Sequence, residues 1–351
     1  MITDILVYAS KNDCSDIHLV TGSQPIVRRI GSLEKLQLPP IGEKEILAWM
    51  MELLSEEQMS LFYTGRDIDS AYTDWNGNRY RINVYRQQSK PAIAMRLLKN
   101  DIPTIDQLGL PQVLKDLADL PRGLVLVTGP TGSGKSTTLA AMIDHINRRK
   151  SRHILTLEDP IEYIYTAKQA LINQREIHRD VTDFKTGLRS ALREDPDVIL
   201  VGEMRDFETI SLAITAAETG HLVFSTLHTI GAANTIDRII DTFPTNQQSQ
   251  IRTQLATVLK AAISQILVPK ADMSGRVAIH EIMLMNDAVA NQVRENKIFQ
   301  IASSIQTGQK LGMQTLEADL VKKVNARQIT YETALEVSSN PDLFKRLYGS
   351  L

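Results

Sequence analysis

The sequence predicts an α/β protein in two parts, a small mixed domain followed by a larger one built on a sheet of short strands. Three observations carry that expectation. Before about residue 100, apolar and polar residues alternate in short runs. From about residue 112 the pattern changes to compact β-rich runs separated by longer helical stretches, the order that yields a helix-covered sheet. A glycine-rich loop, residues 129–136, stands between the first such run and the first such helix.

In chain order, residues 16–20 and 79–85 alternate as half-buried strands do, and Asn76-Gly77 ahead of the second is a hairpin-turn signal. Between them, Ile46, Trp49, Met50, Leu53 and Leu54 recur at helical spacing within residues 42–62, with Ser55-Glu56-Glu57 opening a further turn. Residues 99–111, punctuated by Pro103, Gly109 and Pro111, read as a linker. Beyond it the strand candidates are residues 124–127, 154–157, 198–201 and 222–225, each of the kind buried on both faces. Residues 204–219 make the clearest helix, with Ile210, Ala213, Ile214 and Ala217 on one face and Gly220 to stop it. After about residue 245 the pattern reads as mostly helical to the end, with no fixed-period repeat and no low-complexity segment.

The 351 residues are 43% hydrophobic and 23% charged, an ordinary globular balance. A net charge of −2 argues against a whole-protein electrostatic claim on nucleic acid or anionic lipid and leaves local basic patches open. The single cysteine, Cys14, excludes an internal disulfide framework and a cysteine-rich zinc site, and is read as a small buried or half-buried residue near a strand. Residues 1–10 carry Asp4 and no basic cluster, so they do not read as a signal peptide. The apolar runs are too short to cross a bilayer. The expectation is a cytosolic protein that meets a membrane only through a partner.

Gly129-Pro130-Thr131-Gly132-Ser133-Gly134-Lys135-Ser136, followed by Thr137, matches the phosphate-loop pattern without a mismatch. The glycines let successive N–H groups turn inward around phosphates, and the helix terminus adds its positive end. Lys135 would reach the β- and γ-phosphates of ATP, and the Ser136 hydroxyl would bind Mg²⁺.

A nucleotide hydrolase also needs a carboxylate for its metal-bound or attacking water. Residues 198–201 end in Gly202-Glu203, and residues 154–157 end in Glu158-Asp159-Pro160-Ile161-Glu162. Both clusters fall at the carboxyl edge of the expected sheet, where such sites lie. Acids at strand ends also serve as helix caps or solvated loop residues. His221 and His228 flank the run at 222–225. Each reads as a surface or satisfied histidine, although His228 at a strand end could also sense a γ-phosphate.

Residues 192–206, ending in Gly202-Glu203-Met204-Arg205-Asp206, resemble the Walker B signature of the secretion ATPases of type II secretion and type IV pili. Residues 156–162 resemble the Asp box of that family, and residues 219–229 its His box. Ser15-Asp16-Ile17-His18-Leu19 and Pro25-Ile26-Val27-Arg28 resemble its amino-terminal domain. The resemblance runs along nearly the whole chain. Within the family it is strongest to the pilus retraction ATPases, the PilT family. The chain starts directly at the amino-terminal domain, lacks the cysteines for the zinc site of extension and secretion ATPases, and carries a PilT-like stretch at 305–315.

The resemblance implies a PAS-like domain over residues 1–98, a linker at 99–111, and a RecA-like P-loop domain over 112–351 whose part from about 285 is helical. It implies a homo-hexamer with ATP between the two domains of each subunit. Glu203 would be the catalytic base, Glu162 would lie near Mg²⁺ and water, and His228 would contact the γ-phosphate. Arg79 and Arg81 would reach the nucleotide across the ring, a role that suits a planar cation; as residues of a strand they also read as exposed charges. Implied partners are an inner-membrane pilus platform protein and a second retraction ATPase, with no nucleic acid and no direct membrane insertion. The chain would dock at the cytoplasmic face of the inner membrane through the platform protein. One departure falls at residues 288–295, where Ala290 replaces an arginine of the family's Ala-Ile-Arg-Asn-Leu-Ile-Arg-Glu segment.

The expected function is therefore ATP-driven pilus retraction. The alternatives are an accessory PilU-like ATPase, a pilus-extension or type II secretion ATPase, a RecA-like nucleic-acid motor, and a subunit that binds ATP without turnover. The near-neutral charge argues against the nucleic-acid motor.

Overall fold

The computed structural model describes residues 2–12, 14–29, 32–98 and 101–349. The chain divides into two compact units, residues 1–101 with 162–164, and residues 102–161 with 165–351.

The first unit opens with α1 (Ile2–Lys11), β1 (Cys14–Val20), β2 (Ile26–Arg29) and β3 (Ser32–Lys35). Two helices follow, α2 (Glu43–Leu53) and α3 (Glu56–Tyr63), then β4 (Ile68–Thr73), β5 (Arg79–Gln87) and β6 (Lys90–Leu98). Glu45 reaches back to accept the Gly42 N–H at 2.7 Å, which starts α2. Ser55 and Gln58 exchange reciprocal bonds that start α3. At the expected hairpin, the Asp74 carboxylate accepts the N–H groups of Asn76 and Asn78 at 2.9 and 2.8 Å, and the turn brings Thr73 opposite Arg79. The six strands form one antiparallel sheet in the order β3-β2-β1-β6-β5-β4. Alternation sends Ile17, Leu19, Tyr80, Ile82 and Val84 into a core shared with Ile5 and Leu6 of α1. Cys14, buried at the start of β1, belongs to that core.

Of the expected linker, residues 99 and 100 lie outside the described residues, and the stretch from 101 to 112 is coil and turn. The second unit then runs α4 (Val113–Ala118), β7 (Gly123–Thr128), α5 (Lys135–Arg149), β8 (His153–Glu158), β9 (Leu171–Glu176), α6 (Phe184–Ala191) and β10 (Val198–Val201). It continues with α7 (Phe207–Glu218), β11 (Leu222–Leu227), α8 (Ala232–Asp241), α9 (Thr245–Val258), β12 (Leu259–Pro269) and β13 (Arg276–Leu284). Five α-helices follow: α10 (Asp287–Arg294), α11 (Ile301–Thr307), α12 (Leu316–Asn325), α13 (Tyr331–Val337) and α14 (Pro341–Gly349). The sheet order is β13-β12-β7-β11-β10-β8-β9, parallel except for β13 at one edge. All four strand candidates in this unit are strands, and β7, β10 and β11 are buried along their whole length.

Two expectations are corrected. The helix expected from residue 204 begins at Phe207, because Asp206 accepts the Thr209 N–H and caps it there. The region beyond 245 is not helical throughout, since after α9 the strands β12 and β13 form a long hairpin. β12 is buried on both faces over Ala261–Gln265, so it shows no period-two signal, and its two alanines read as helix formers. Helices α12 and α14 cover this hairpin, with Leu316, Leu320, Val321 and Phe344 packed against Val268 and Ile279. Ala290 is buried in α10 beside Val289 and Val293. Among the described residues, no helix is long and apolar enough to cross a membrane.

Candidate active site: the phosphate loop and the sheet edge

Parallel strands deliver their carboxyl ends to one edge. β7 ends at Thr128, directly before Gly129; β11 ends at Leu227, directly before His228; β10 ends at Val201, two residues before Glu203. Val201 pairs with Ser225 and Leu227 pairs with Thr128. Glu203 therefore comes level with Leu227 and the start of the loop, two strand spacings or about 10 Å across the sheet.

The loop is shaped for an anion. Gly129 has φ +139°, and a Cβ there would stand 2.1 Å from the Gln265 carbonyl oxygen, so only glycine fits. Gly134, at φ +85°, precedes α5, and no side chain caps that helix. The N-terminus of α5 thus presents its positive end beside the loop. The Lys135 ammonium donates to the carbonyls of Gly129 and Pro130 at 2.8 and 3.0 Å, which holds it over the loop. Ser133 Oγ is buried without a hydrogen-bond partner. Such an orphan costs about 1–3 kcal/mol, and a phosphate oxygen would satisfy it. Pro130, Thr131 and Gly132 are exposed, while Ser136 and Thr137 are half-buried in the first turn of α5. Among the described residues no cluster of three or more His, Cys, Asp or Glu is placed to hold a metal. A magnesium ion here would rely on Ser136, phosphate oxygens and water, its usual manner beside a nucleotide.

Glu203 is fixed by its backbone and by the side chains of Arg205 and His228. The Thr226 hydroxyl donates to the Gly202 carbonyl at 2.6 Å, and the Met204 N–H donates to the Thr226 carbonyl at 3.1 Å. The Glu203 carboxylate, 16% exposed, then meets Arg205 Nε at 2.6 Å on one oxygen and His228 Nε2 at 3.4 Å on the other. Arg205 is 73% exposed, so the pair contributes about 0.5 kcal/mol or less to stability. It orients the carboxylate. On the far side of β11, Thr229 and Thr235 share a hydroxyl bond at 2.7 Å, and Thr235 continues to Thr128 at 3.4 Å. His228 and the loop thus rest on one scaffold.

The remaining candidates fall elsewhere. His221 sits at the opposite end of β11, its Nδ1 2.9 Å from the Ala216 carbonyl at the end of α7, which is the satisfied role. Glu158 is buried and accepts from Thr156 at 2.7 Å and Gln174 at 3.3 Å. Asp159 is exposed. Glu162 is exposed in an irregular segment and groups with the first unit. Arg79 and Arg81 lie on β5 in that unit; Arg81 is exposed, but Arg79 is buried and so is not the solvated strand charge its position suggested. On the same sheet Arg81 stands opposite Arg96, which donates to Asp16 at 2.8 Å, with Arg28 on the other Asp16 oxygen at 3.8 Å. A cleft of about 270 Å³ lined by Asp144, His145, Arg148 and Arg149 lies at the far end of α5, away from the loop.

Arg205, Thr226 and Gln265 escaped the sequence reasoning. Arg205 stands inside the Walker B-like stretch, two residues from Glu203, and that spacing is its only signal in the sequence. For Thr226 and Gln265 the signal is the fold itself.

A phosphate loop between a parallel strand and its helix, with a carboxylate level with it two strands away, defines a P-loop ATPase. The model of the family described as type II/IV secretion system protein matches residues 76–336. The chain belongs to that family, within its PilT group, and is an ATPase. It is 47% identical to the type IV pilus retraction ATPase PilT of Pseudomonas aeruginosa over 98% of this chain and 99% of that one. Against the type IV pilus ATPase PilU of the same organism the identity is 35%, over 92% of this chain and 84% of the relative. A crystal structure of the pilus retraction motor PilT with bound ADP superposes with a TM-score of 0.92 at 45% identity, covering 98% of this chain and 99% of that one.

Proposed function

We propose that this chain is a hexameric ATPase motor that drives type IV pilus retraction from the cytoplasmic face of the inner membrane. The single observation that carries the proposal is the convergence of the loop, Glu203 and His228 on one sheet edge in a chain 47% identical to PilT along its length. In this reading residues 1–98 are a PAS-like domain, residues 99–111 a linker, and residues 112–351 a RecA-like domain with a helical carboxyl-terminal part.

Loop N–H groups and Lys135 bind the phosphates of ATP; Ser136, with Glu162 by resemblance to the family, would hold Mg²⁺ together with phosphate oxygens and water. The ion, when bound, neutralises charge that develops on the transferring phosphoryl group. Glu203 takes the proton of the attacking water. His228, already touching Glu203, reports the γ-phosphate to it. Arg79 and Arg81 act across the subunit boundary as planar cations. The hexamer turns over against an inner-membrane platform protein, with a second retraction ATPase as a further partner and without nucleic acid.

Deletion of the gene tests this reading. Loss of twitching with surplus surface pili, restored by the wild-type chain and not by Glu203→Gln, is expected. Near-normal retraction in the deletion strain would make the chain an accessory ATPase of the PilU kind.

A further inference from the structure

A buried polar chain that the catalytic reading does not use runs from the phosphate loop to the carboxyl-terminal helices. Its centre is Gln265 on β12, one residue after Ser264, which pairs with Thr128. Gln265 Nε2 donates to the Ser133 carbonyl at 2.6 Å. Gln265 Oε1 accepts the Thr138 hydroxyl at 2.7 Å and lies 3.2 Å from His280 Nε2. His280 is the cross-strand partner of Gln265 on β13, and its backbone N–H donates to Asp319 of α12 at 2.8 Å. The segment before α12 joins the same edge, because Gln314 Nε2 donates to the His280 carbonyl at 3.1 Å and Lys322 in turn holds Gln314 Oε1 at 2.9 Å. Thr138, Gln265 and His280 are each 1% exposed.

The chemistry of these groups leaves one arrangement of protons. The Ser133 carbonyl only accepts, so the amide nitrogen of Gln265 must face it and the amide oxygen must face the other way. That oxygen only accepts, so the His280 nitrogen beside it must carry a proton. Gln265, Thr138 and His280 are thus joined through buried donors and acceptors, and removing one member leaves a buried group unpaired rather than hydrated. The contacts at Gln265 grip both flanks of Gly134, where the loop becomes α5. A Cβ on Gly134 would come 2.9 Å from Gln265 Nε2.

We infer that Gln265 is a positioning residue for nucleotide binding, and that through His280 and Asp319 it couples the shape of the phosphate loop to the docking of α12. Any shift of Ser133 and Thr138 around a nucleotide must be met by Gln265, and the next movable member is the His280–Asp319 pair. Hydrogen-bond chains of this kind carry coupling between sites when both ends bias one arrangement. The inference rests on the nucleotide-binding reading of the loop.

The test is a double-mutant cycle on the full chain, with ADP as probe, combined with amide hydrogen exchange of residues 314–325. Gln265→Leu keeps the volume and removes the bonds, and should weaken ADP about tenfold. His280→Leu should weaken it less, and the double variant should bind no worse than Gln265→Leu, because His280 acts through Gln265. In the wild type, saturating ADP should alter exchange in α12, and the alteration should vanish in Gln265→Leu at concentrations that saturate the variant. Unchanged affinity, effects that multiply, or α12 still responding in the variant would each overturn the coupling. If Gln265→Leu does not fold, Thr138→Val takes its place: weaker ADP binding restored by Thr138→Ser is expected, and no loss overturns the inference. A wild-type chain that does not bind ADP would sink the nucleotide reading and this inference together. Binding with insensitive variants would sink the inference alone.

Discussion

Glu203 Oε2 lies 3.4 Å from His228 Nε2, so the carboxylate at the end of β10 and the imidazole at the end of β11 form one unit. The contact is long for a hydrogen bond, and His228 remains half exposed. It therefore fixes the direction of Glu203 more than it stabilises the fold. His228→Asn should lower the turnover number for ATP by about ten- to a hundredfold, while ADP affinity changes by no more than about twofold. Steady-state phosphate release and a fluorescent ADP titration read the two quantities separately.

Gly129→Ala puts a methyl group against the Gln265 backbone at a φ that L-residues avoid. Neither obstacle is the flexible end of a side chain, so the backbone must move. The variant should lose about 2 kcal/mol or more of stability and most of its nucleotide affinity, read by denaturant unfolding and by the same ADP titration.

Asp144 makes stability depend on pH. Burial alone would raise its carboxyl, but the Lys168 and Arg148 bonds outweigh burial and hold it below its ordinary value. The contacts are 2.7 Å to Lys168 and 2.6 Å to Arg148. A carboxyl whose folded value is depressed contributes its full stability above the unfolded value, about 4, and loses it as pH falls through the folded one. Asp144→Asn should cost about 2 kcal/mol near pH 7. The gap between the two proteins should narrow below about pH 4, as thermal melts across pH 3–7 would reveal.

Much of the site was legible because its signals are local. The turn at Gly129 and the loop through Ser136 are contiguous, and Glu203 follows its strand directly. A strand buried on both faces is visible as a short β-rich run, as at 198–201. The β12–β13 hairpin was not visible, because Ala261, Ala262 and Gln265 do not alternate and the run is long enough to pass for a buried helix. Gln265 and Thr138 are 127 residues apart in sequence, so their bond exists only once β12 lies beside β7. Glu158 lies at the site edge but turns back to Thr156, which only packing decides, and His221 precedes β11 at the edge away from the site.

The central claim is that the edge at Gly129, Glu203 and His228 hydrolyses ATP. Phosphate release by the full-length chain and by Glu203→Gln, with ADP affinity measured on both, tests it most directly. The account predicts turnover in the wild type, turnover lower by about a hundred- to ten-thousandfold in the variant, and ADP binding retained by both. Equal rates in the two proteins, or no release from either, would contradict it.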